Sequence, residues 1–402
     1  MNILIVTEDL VVGGAQVFAL RLAQALSKQY NVHLFCYLED LIIYDIVRNN
    51  APDINLLTYR PLGGNIIRLF DRILYKLKID LSFYNMFVNR EIKRYLHDLK
   101  IDIVHSHAFK VDYELSKIFR SLGIPWVITT HGDHAIFYRN IQNGWGEQVY
   151  NYSSKLRKIL ERVNFVVYLS DRQLEFPRLK GEIDLDLHPG KFVKIYNGFS
   201  GGYTKPRDQI RAQLGITEGV RIFGMVARDN PQKGWRECIE AYRKIEKQYN
   251  IALVLVGEGD YLNELRNEYS DVKQLYFVGF SRNPVDLIQD FYIGVLPTRD
   301  DNLPTTVIEY LFCEKPVIAT DIGEIPDMIS ADGEKAGFTL QLNSRGKVDS
   351  DDLADCMKAY LDDSILYNKH QGLTKKAVSK FDMEECVNSY MDLYNRVIQS
   401  NN

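Results

Sequence analysis

The sequence predicts an α/β protein built from two doubly wound domains, each with a parallel sheet. The chain has 402 residues, which is too long for one ordinary hydrophobic core. Short β-branched runs alternate with helical patterns along nearly its whole length, as is typical of parallel strands joined by crossover helices. This alternation is interrupted after Asn197–Gly198 by a stretch rich in Gly, Ser and Pro, which predicts a boundary between two domains.

The first domain is predicted over residues 1–198, with seven strands. They are expected near Ile3–Thr7, Val32–Tyr37, Ile54–Thr58, Ile101–His105, Trp126–Thr130, Phe165–Leu169 and Val193–Tyr196. The helix after the first strand has the clearest pattern. Its apolar residues recur at three-residue steps, at Val17, Leu20, Ala23 and Leu26.

A hinge is predicted at residues 199–209 and a second domain over 210–380. Its strands are expected near Arg221–Val226, Ala252–Val256, Gln274–Val278, Ile293–Pro297, Pro316–Thr320 and Gly337–Leu340. Helices are expected near Trp235–Tyr249, Tyr261–Tyr269, Thr305–Cys313, Asp351–Leu361 and Glu384–Ile398. The last helix belongs to a C-terminal segment, 381–402, that we expect to pack back toward the first domain. Open parallel sheets bind ligands at the carboxyl ends of their strands, so a site is predicted in a cleft between the domains.

The composition excludes several classes of protein. Lysine and arginine number 49 against 53 aspartate and glutamate, a net charge of −4, which argues against binding nucleic acid through a broad cationic surface. The five cysteines form no Cys-x-x-Cys pair, as is typical of reduced thiols in a cytosolic protein. We find no signal-peptide pattern and no apolar run near the roughly 20 residues of a membrane span. The expected location is the cytoplasm, in solution or at the cytoplasmic face of a membrane.

A candidate phosphate site lies directly after the first predicted strand. Gly13 and Gly14 lie between that strand and a helix, where backbone amides and the positive end of the helix can approach an anion. The spacing is neither Gly-x-Gly-x-x-Gly nor that of a Walker loop. The alternative is that the two glycines only close a tight strand-to-helix turn.

Two cations come after the first strand of the second domain. Arg228 and Lys233 lie five residues apart at its carboxyl end. A guanidinium can hold phosphate oxygens in a fixed fork and an ammonium acts as a point charge, so the pair suits a diphosphate. The alternative is ordinary surface charge.

Two carboxylates at the end of a later strand form the most informative motif. Asp301 precedes a helix that Pro304 can begin, and Glu309 lies inside that helix beside an apolar stretch. A carboxylate on a half-buried helix needs a partner, and the two adjacent hydroxyls of a ribose are one candidate. The alternative is an Asp cap and a buried Glu bonded within the protein.

At these residues the sequence resembles the retaining nucleotide-sugar glycosyltransferases of the large family 4, which have the two-Rossmann fold called GT-B. The resemblance covers nearly the whole chain, in order. The matching segments are Gly13–Gln16, Asn197–Gly198, Arg228–Gly234, Val256–Asp260, Val278–Phe280 and Asp301–Gly323. The last of them resembles the family's Glu-x7-Glu motif together with the segment that comes after that motif. The order and spacing of the set are more specific than any single segment.

The resemblance implies a role for each matched residue. Glu309 would hold the ribose of the donor nucleotide, Arg228 and Lys233 its diphosphate, and the Gly13–Gly14 loop its phosphate from the other domain. His131, after the fifth strand, matches the family's active-site histidine. The residues implied to face the donor sugar or line its site are Asp301, the backbone of Asn302, Leu303 and Thr305, and the strand end at Gly279 and Phe280. We expect His105 and His107 to be structural.

The sequence departs from the family pattern at four positions. Asp301 replaces the usual first Glu, and Gln16 replaces an acid. Tyr310 and Glu314 stand where the family usually has small residues. These departures concern the contact to the sugar and the acceptor side more than the binding of the nucleotide.

The function implied is a retaining transfer of a sugar from a nucleotide-diphosphate sugar, with UDP favoured, to a saccharide acceptor in cell-surface polysaccharide or glycolipid biosynthesis. No metal or other cofactor is implied, because cations already stand where charge develops on the leaving diphosphate. Front-face attack assisted by that phosphate is expected. Two alternatives stay open: a GT-B nucleotide-sugar 2-epimerase, and a non-catalytic nucleotide-sugar-binding partner of another transferase.

The composition of residues 60–100 indicates a second candidate surface, one that could bind a membrane. The segment carries nine basic residues against four acidic ones. Within it Ile66, Phe70, Ile73 and Leu77 recur at helical spacing among basic residues, a pattern that can lie on anionic headgroups. The alternative is an ordinary helix whose apolar stripe packs on the sheet. In the family this region lines the acceptor side, so a lipid-linked saccharide at the membrane is the leading acceptor class.

Overall fold

A computed structural model describes residues 1–11, 13–119, 122–132, 151–179, 183, 190–199 and 209–401 of the chain. The chain divides into two compact units. The first contains Met1–Gly198 and Met383–Asn402, and the second contains Phe199–Asp382. Most of the predicted hinge, residues 200–208, lies outside the described residues.

The first unit is built on a parallel sheet. Its strands are β1 (Asn2–Thr7), β2 (Asn31–Cys36), β3 (Asn55–Thr58), β4 (Ile103–Ser106), β5 (Trp126–Thr129), β6 (Phe165–Tyr168) and β7 (Phe192–Lys194). Among the described residues up to 179, its helices are α1 (Gly14–Leu26), α2 (Tyr44–Asn50), α3 (Gly64–Lys76), α4 (Phe83–Asp98), α5 (Phe109–Phe119), α6 (Tyr152–Leu160) and α7 (Arg172–Leu179). The strand order β3-β2-β1-β4-β5-β6-β7 reverses between β1 and β4, which is where doubly wound sheets bind ligands.

The second unit repeats this plan with six parallel strands and a short hairpin. Its strands are β8 (Arg221–Val226), β9 (Ile251–Val256), β10 (Leu275–Gly279), β11 (Ile293–Leu296), β12 (Val317–Thr320), β13 (Ser330–Ala331), β14 (Glu334–Lys335) and β15 (Gly337–Leu340). Its helices are α8 (Gln209–Leu214), α9 (Trp235–Ile245), α10 (Asp260–Glu268), α11 (Val285–Ile288), α12 (Thr305–Phe312), α13 (Ile325–Met328), α14 (Ser350–Asp362) and α15 (Ser364–Ser379). The sheet order β10-β9-β8-β11-β12-β15 reverses between β8 and β11, and β13 pairs with β14.

The C-terminal helix, α16 (Met383–Asn401), belongs to the first unit and packs beside α1. Strand β1 shows how this layer is built, because its successive side chains point to opposite faces of the sheet. Ile3 and Ile5 join the apolar cluster formed with α1 and α16. Leu4 and Val6 join the cluster formed with α4, α5 and α6. Helices therefore cover both faces, as the continuous apolar run of β1 requires.

The predicted fold class is confirmed: strands lie at every predicted position, each beginning and ending within about two residues of its expected bounds. Helix α15 was not predicted. The buried positions of α15 are His370, Thr374 and Ala377, which are polar or small, so the sequence carries little apolar periodicity there. Within the described residues, we find no helix with the length and apolar character needed to cross a bilayer.

Candidate functional site

Two loops at the carboxyl edge of the second sheet carry most of the residues predicted to bind a donor. One comes after β8 and contains Arg228 and Lys233, and the other comes after β11 and contains Asp301. Because β8 and β11 are neighbours at the reversal of strand order, both loops leave the sheet at its expected ligand-binding position. The structure thus places these three predicted residues on adjacent loops.

Close backbone contacts join the two loops. The Arg299 amide donates to the Gln232 carbonyl at 2.8 Å. Gly234 has a φ of +83°, and a Cβ at this position would lie 2.1 Å from the Pro297 carbonyl oxygen, so only glycine fits. The Arg299 side chain also donates to the buried carboxylate of Glu237 at 2.5 Å. These contacts hold the first loop and the second in one fixed arrangement.

Lys233 and Asp301 are partners in this arrangement. Lys233 Nζ donates to Asp301 Oδ1 and Oδ2, each at 2.8 Å. Their side chains are only 10% and 19% exposed, respectively. Arg228, in contrast, is exposed and forms no ion pair with any of the described residues. The cation predicted for the diphosphate and the carboxylate predicted for the sugar therefore neutralise each other.

The start of α12 is held by the segment after β12. The Glu324 amide donates to the Asn302 carbonyl at 2.9 Å. Gly323 has a φ of +54°, and a Cβ there would lie 2.4 Å from the Asp301 carbonyl oxygen. Asn302 Oδ1 is buried and accepts no hydrogen bond within the part of the chain that the structure describes. A buried acceptor of this kind is available to a hydrogen-bond donor on a ligand.

Helix α12 begins after Pro304 without a side-chain cap. Leu303 is buried, Thr305 is exposed, and Glu309 lies half-buried one turn further along the helix. The uncapped start leaves the positive end of the helix dipole at the same edge as Lys233, where it favours an anion. Of the residues predicted to contact the ribose or the sugar, Thr305 and Glu309 lie on α12, and Asp301, Asn302 and Leu303 lie in the segment just before it.

Tyr310 explains one departure from the family pattern. Its hydroxyl accepts from the Val226 amide at 2.9 Å and lies 3.3 Å from the carbonyl oxygens of Gly224 and Val295, so it ties α12 to β8 and β11. A Cβ at Gly294 would lie 2.3 Å from the Tyr310 ring, which shows how a glycine makes room for it. Burial raises the pKa of Tyr310 well above its ordinary value, so the phenol stays protonated.

Gly279 and Phe280 lie further along the same edge. Gly279 ends β10 with a φ of +88°, a conformation that glycine adopts without strain. The Phe280 ring is 57% exposed. Since β10 is separated from β8 by β9, these two residues are two strands from the Arg228 loop.

The first unit carries the predicted glycine loop at the start of α1. Gly14 is exposed, and α1 has neither an acidic residue in its first turn nor a side-chain cap at Gly13. Gln16, which replaces the family's acid, donates from Nε2 to Asp9 Oδ1 at 2.8 Å. Gln16 itself brings no charge to the start of α1, and it holds the Asp9 carboxylate beside the first turn.

His131 lies after β5 in the same unit and contacts a second histidine. His107 Nδ1 lies 2.9 Å from His131 Nε2, and the two rings stack with centroids 5.2 Å apart. Phe18 of α1 packs edge-on against His131 at 5.7 Å. The sequence-based prediction for His107 missed this contact to the predicted active-site residue. The sequence did carry a signal for this contact: His107 and His131 follow β4 and β5, and neighbouring parallel strands end side by side.

His105 anchors this histidine row in the core. Its Nδ1 lies 2.6 Å from the Tyr394 hydroxyl of α16, and its Nε2 lies 2.7 Å from Thr129 Oγ1. The His105 and His107 rings are 4.2 Å apart. Both His105 contacts are internal, which agrees with the structural role expected for this residue.

Burial keeps all three histidines neutral near neutral pH. It lowers the pKa of His105 to about 3 and that of His131 to about 4. Burial and the two neighbouring imidazoles lower the pKa of His107 well below its ordinary value. A neutral imidazole donates one hydrogen bond and accepts one. With Nε2 facing His107, the other ring nitrogen of His131, Nδ1, is the one not engaged by that contact.

Two family models match the chain and together span most of it. The model described as Glycosyltransferase Family 4 matches residues 12–199, and the one described as Glycosyl transferases group 1 matches residues 206–377. The first match ends at residue 199, next to the division between the two units at Gly198 and Phe199, and the second match begins at residue 206.

Curated relatives and solved structures agree with these models. An Escherichia coli UDP-Gal:alpha-D-GlcNAc-diphosphoundecaprenol alpha-1,3-galactosyltransferase is 23% identical over 369 residues, which cover 87% of this chain and 91% of that protein. The crystal structure of Anabaena HepE in complex with UDP aligns with a TM-score of 0.74 at 16% identity, covering 98% of this chain and all of that one. Sucrose-phosphate synthase from Thermosynechococcus elongatus aligns with a TM-score of 0.74 at 17% identity, covering 99% of each chain. These relatives are transferases or share their fold, and none of them supports the epimerase alternative. The chain therefore belongs to the family 4 glycosyltransferases, with the GT-B fold.

Proposed function

We propose that this glycosyltransferase moves a sugar from a UDP-sugar to a hydroxyl of a saccharide acceptor, with retention of anomeric configuration and without a metal ion. The observation that carries the proposal is the arrangement of Arg228, Lys233 and the uncapped start of α12 at one edge of the second sheet. Two cations and a positive helix end suit the diphosphate of a donor. UDP is favoured because HepE was solved with UDP and the Escherichia coli relative is named for UDP-Gal.

The residues proposed to bind the donor differ in how far their side chains are exposed to solvent. Arg228 is exposed and would approach the diphosphate with its guanidinium fork. Lys233 would share its charge between the diphosphate and Asp301. Glu309, half-buried on α12, would accept hydrogen bonds from the ribose hydroxyls. The buried Asn302 Oδ1 would accept from a hydroxyl of the donor.

The chemical step would depend on stabilising the leaving diphosphate. Negative charge develops there while positive charge develops at the sugar carbon, so fixed cations and a helix dipole lower the barrier. A carboxylate held by an ammonium is a weak nucleophile, and Asp301 accepts from Lys233 with both oxygens. This supports front-face attack assisted by the leaving phosphate over a covalent intermediate. Neutral His131 would contribute a hydrogen bond near the reacting sugar rather than a positive charge.

The acceptor proposed is a saccharide, with a lipid-linked saccharide at the cytoplasmic face of a membrane as the leading class. The name of the Escherichia coli relative includes a sugar on diphosphoundecaprenol, which supports this class. The pathway proposed is cell-surface polysaccharide or glycolipid biosynthesis.

A product assay tests the proposal. The purified protein is incubated with UDP-galactose, UDP-glucose or GDP-mannose and with a short-chain prenyl-diphosphate GlcNAc acceptor, with and without EDTA. We expect a glycoside from one UDP-sugar, undiminished by EDTA, whose anomeric proton coupling matches that of the donor. An inverted product or loss of activity in EDTA would overturn the mechanism proposed. An altered donor sugar formed without acceptor would indicate an epimerase, and binding without turnover would indicate a non-catalytic partner.

A further inference from the structure

Helix α3 presents its apolar face to solvent. Ile66, Phe70, Ile73 and Leu77 recur at helical spacing on one face, and they are 49–65% exposed. Ile67, which follows Ile66 and lies about 100° further round α3, packs against the core of the first unit. The sequence-based alternative, in which this apolar stripe packs on the sheet, is therefore wrong.

Polar contacts on the inner side fix this orientation. The Asp71 carboxylate accepts from Ser82 Oγ at 2.6 Å and from the Phe83 and Tyr84 amides at 2.8 and 3.0 Å, so it caps the start of α4. Arg68 donates to Asp40 at 2.5 Å and lies over the Tyr84 ring. Turning the apolar face of α3 inward would break these contacts, so its exposure is built into the fold.

The exposed apolar surface continues onto the start of α4. Of the 18 large apolar side chains that are exposed among the described residues, 12 lie between residues 62 and 87. We call the following set the α3–α4 patch: Leu62, Ile66, Leu69, Phe70, Ile73, Leu77, Ile79, Leu81, Phe83, Met86 and Phe87. Such a concentration of apolar surface is unusual on a soluble protein and marks an interaction site.

The charges around the patch are positive. The cations beside it are exposed and form no ion pair within the described ranges: Arg72, Lys76, Lys78, Arg90 and Lys93. The four acidic residues of the segment are already engaged. Asp71 caps α4, Asp80 accepts from Tyr113, Glu91 pairs with Arg94, and Asp98 contacts His97. Since the segment holds nine basic residues against four acidic ones, a net positive charge remains on it.

An apolar face bordered by cations fits an anionic bilayer. Apolar side chains can enter the boundary between headgroups and acyl chains while Lys and Arg stay at the phosphates. A second copy of the chain is a poorer fit, because a two-fold contact would bring the same cations, such as Arg72 and Lys76, against each other. Charge complementarity thus selects a lipid surface as the occupant.

We propose that the α3–α4 patch docks the first unit on an anionic membrane, with α3 lying in the plane of the interface. This docking proposal rests on the proposed function in one respect: a lipid-linked acceptor is the reason that binding to a membrane would be useful. Arg68 is excluded from the lipid contact because Asp40 and Tyr84 hold it on the inner side.

The test is flotation of the full chain with phosphatidylglycerol-containing or pure phosphatidylcholine vesicles at low and high salt. One variant changes Arg72, Lys76 and Lys78 to Ser, and another changes Ile66, Phe70 and Ile73 to Ser. A matched control changes three exposed cations of the second unit, Arg243, Lys247 and Lys273, to Ser. We expect binding to the anionic vesicles that falls with salt, a loss of at least tenfold in both patch variants, and wild-type binding in the control.

Further measurements separate the other outcomes. Thermal unfolding confirms that each variant is folded, and the affinity for UDP should be unchanged in both patch variants. Equal binding of wild type and patch variants, or no preference for anionic vesicles, would overturn the docking proposal while leaving the transferase proposal intact. A concentration-dependent dimer that the Ile66, Phe70 and Ile73 variant abolishes, without vesicle binding, would assign the patch to a second copy instead. Vesicle binding without any transfer would overturn the proposed function and not the docking surface.

Discussion

Lys233 and Asp301 form a largely buried ion pair in which Nζ donates to both carboxylate oxygens at 2.8 Å. The pair joins the loops after β8 and β11, which are neighbouring strands of the second sheet. A diphosphate that binds Lys233 must therefore compete with Asp301 for the same ammonium. The affinity of the site for a donor reflects the difference between these two interactions.

Replacing Asp301 by Asn should tighten UDP binding about 3- to 10-fold, because Lys233 would no longer be neutralised before the ligand arrives. The same change should lower the free energy of unfolding by about 1–3 kcal/mol, because it leaves a buried ammonium without its counter-charge. Calorimetric titration and denaturant unfolding measure the two effects. Asp301→Glu keeps the charge and serves as the control. Weaker UDP binding in Asp301→Asn would make Asp301 a donor contact rather than a competitor.

Changing Arg228 to Ala should lower kcat about 100-fold at saturating donor, because its charge would act mainly on the leaving diphosphate. Thermal stability should be unchanged, since the side chain is exposed. A double change of Arg228 and Lys233 to Ala should lower turnover further, and more than it lowers donor affinity. Arg243→Ala is the matched control, an exposed arginine on α9 that pairs with Asp271. Wild-type kcat in Arg228→Ala would assign this residue to ordinary surface charge.

Glu309→Ala should weaken UDP binding by roughly 2–4 kcal/mol, because two ribose hydroxyls would lose a charged acceptor. The sharper measurement compares UDP with 2′-deoxy-UDP. Wild type should prefer UDP, and Glu309→Ala should bind the two nucleotides equally. If the variant kept the preference, the ribose would be held by another residue.

His131→Ala should cut turnover on the order of 100-fold while UDP affinity stays within about twofold of wild type. We expect about a tenfold loss in His107→Ala, because His107 holds Nε2 of His131 and so orients its ring. The double variant should be no slower than His131→Ala alone, and His107→Asn should recover part of the rate by replacing the hydrogen-bonding atom. Additive losses in the double variant would show that His107 acts independently of His131.

The histidine row should make the protein less stable in mild acid. The folded-state pKa values of His105 and His131, about 3 and about 4, lie below the ordinary value, so the unfolded chain binds protons first as pH falls. The contribution of these neutral histidines to the free energy of unfolding is therefore fully present above about pH 6.5. It is lost as the pH falls toward about 4 for His131 and about 3 for His105, by up to about 1.4 kcal/mol per pH unit for each histidine. Asp112 has the opposite effect on stability. Burial raises its pKa to about 8, so in mild acid the folded protein binds one proton there that the unfolded chain does not.

Denaturant unfolding of wild type and His131→Asn at several pH values between about 4 and 7 isolates the contribution of one histidine. The slope of unfolding free energy against pH should be smaller in the variant by about 1.4 kcal/mol per pH unit. Equal slopes in the two proteins would show that His131 protonates freely in the folded state.

The sequence by itself determined the strands, their parallel arrangement and the loops that carry the predicted site. These are local or repeating properties: apolar runs of strand length that alternate with helices are typical of parallel sheets that helices cover on both faces. Loops such as Gly13–Gly14 and Arg228–Lys233 come directly after strands, so their place at the carboxyl edge was set once the strands were recognised.

Only the tertiary structure decided which side chains meet. Lys233 and Asp301 are 68 residues apart, and their pairing depends on the neighbouring places of β8 and β11 in the sheet. His107 meets His131 for the same reason, through β4 and β5. Helix α3 shows the limit most clearly: its periodicity established that two faces differ, but not which one turns inward. Contacts of Asp71 with the start of α4 decided that, because they satisfy backbone amides that no residue within α4 can reach.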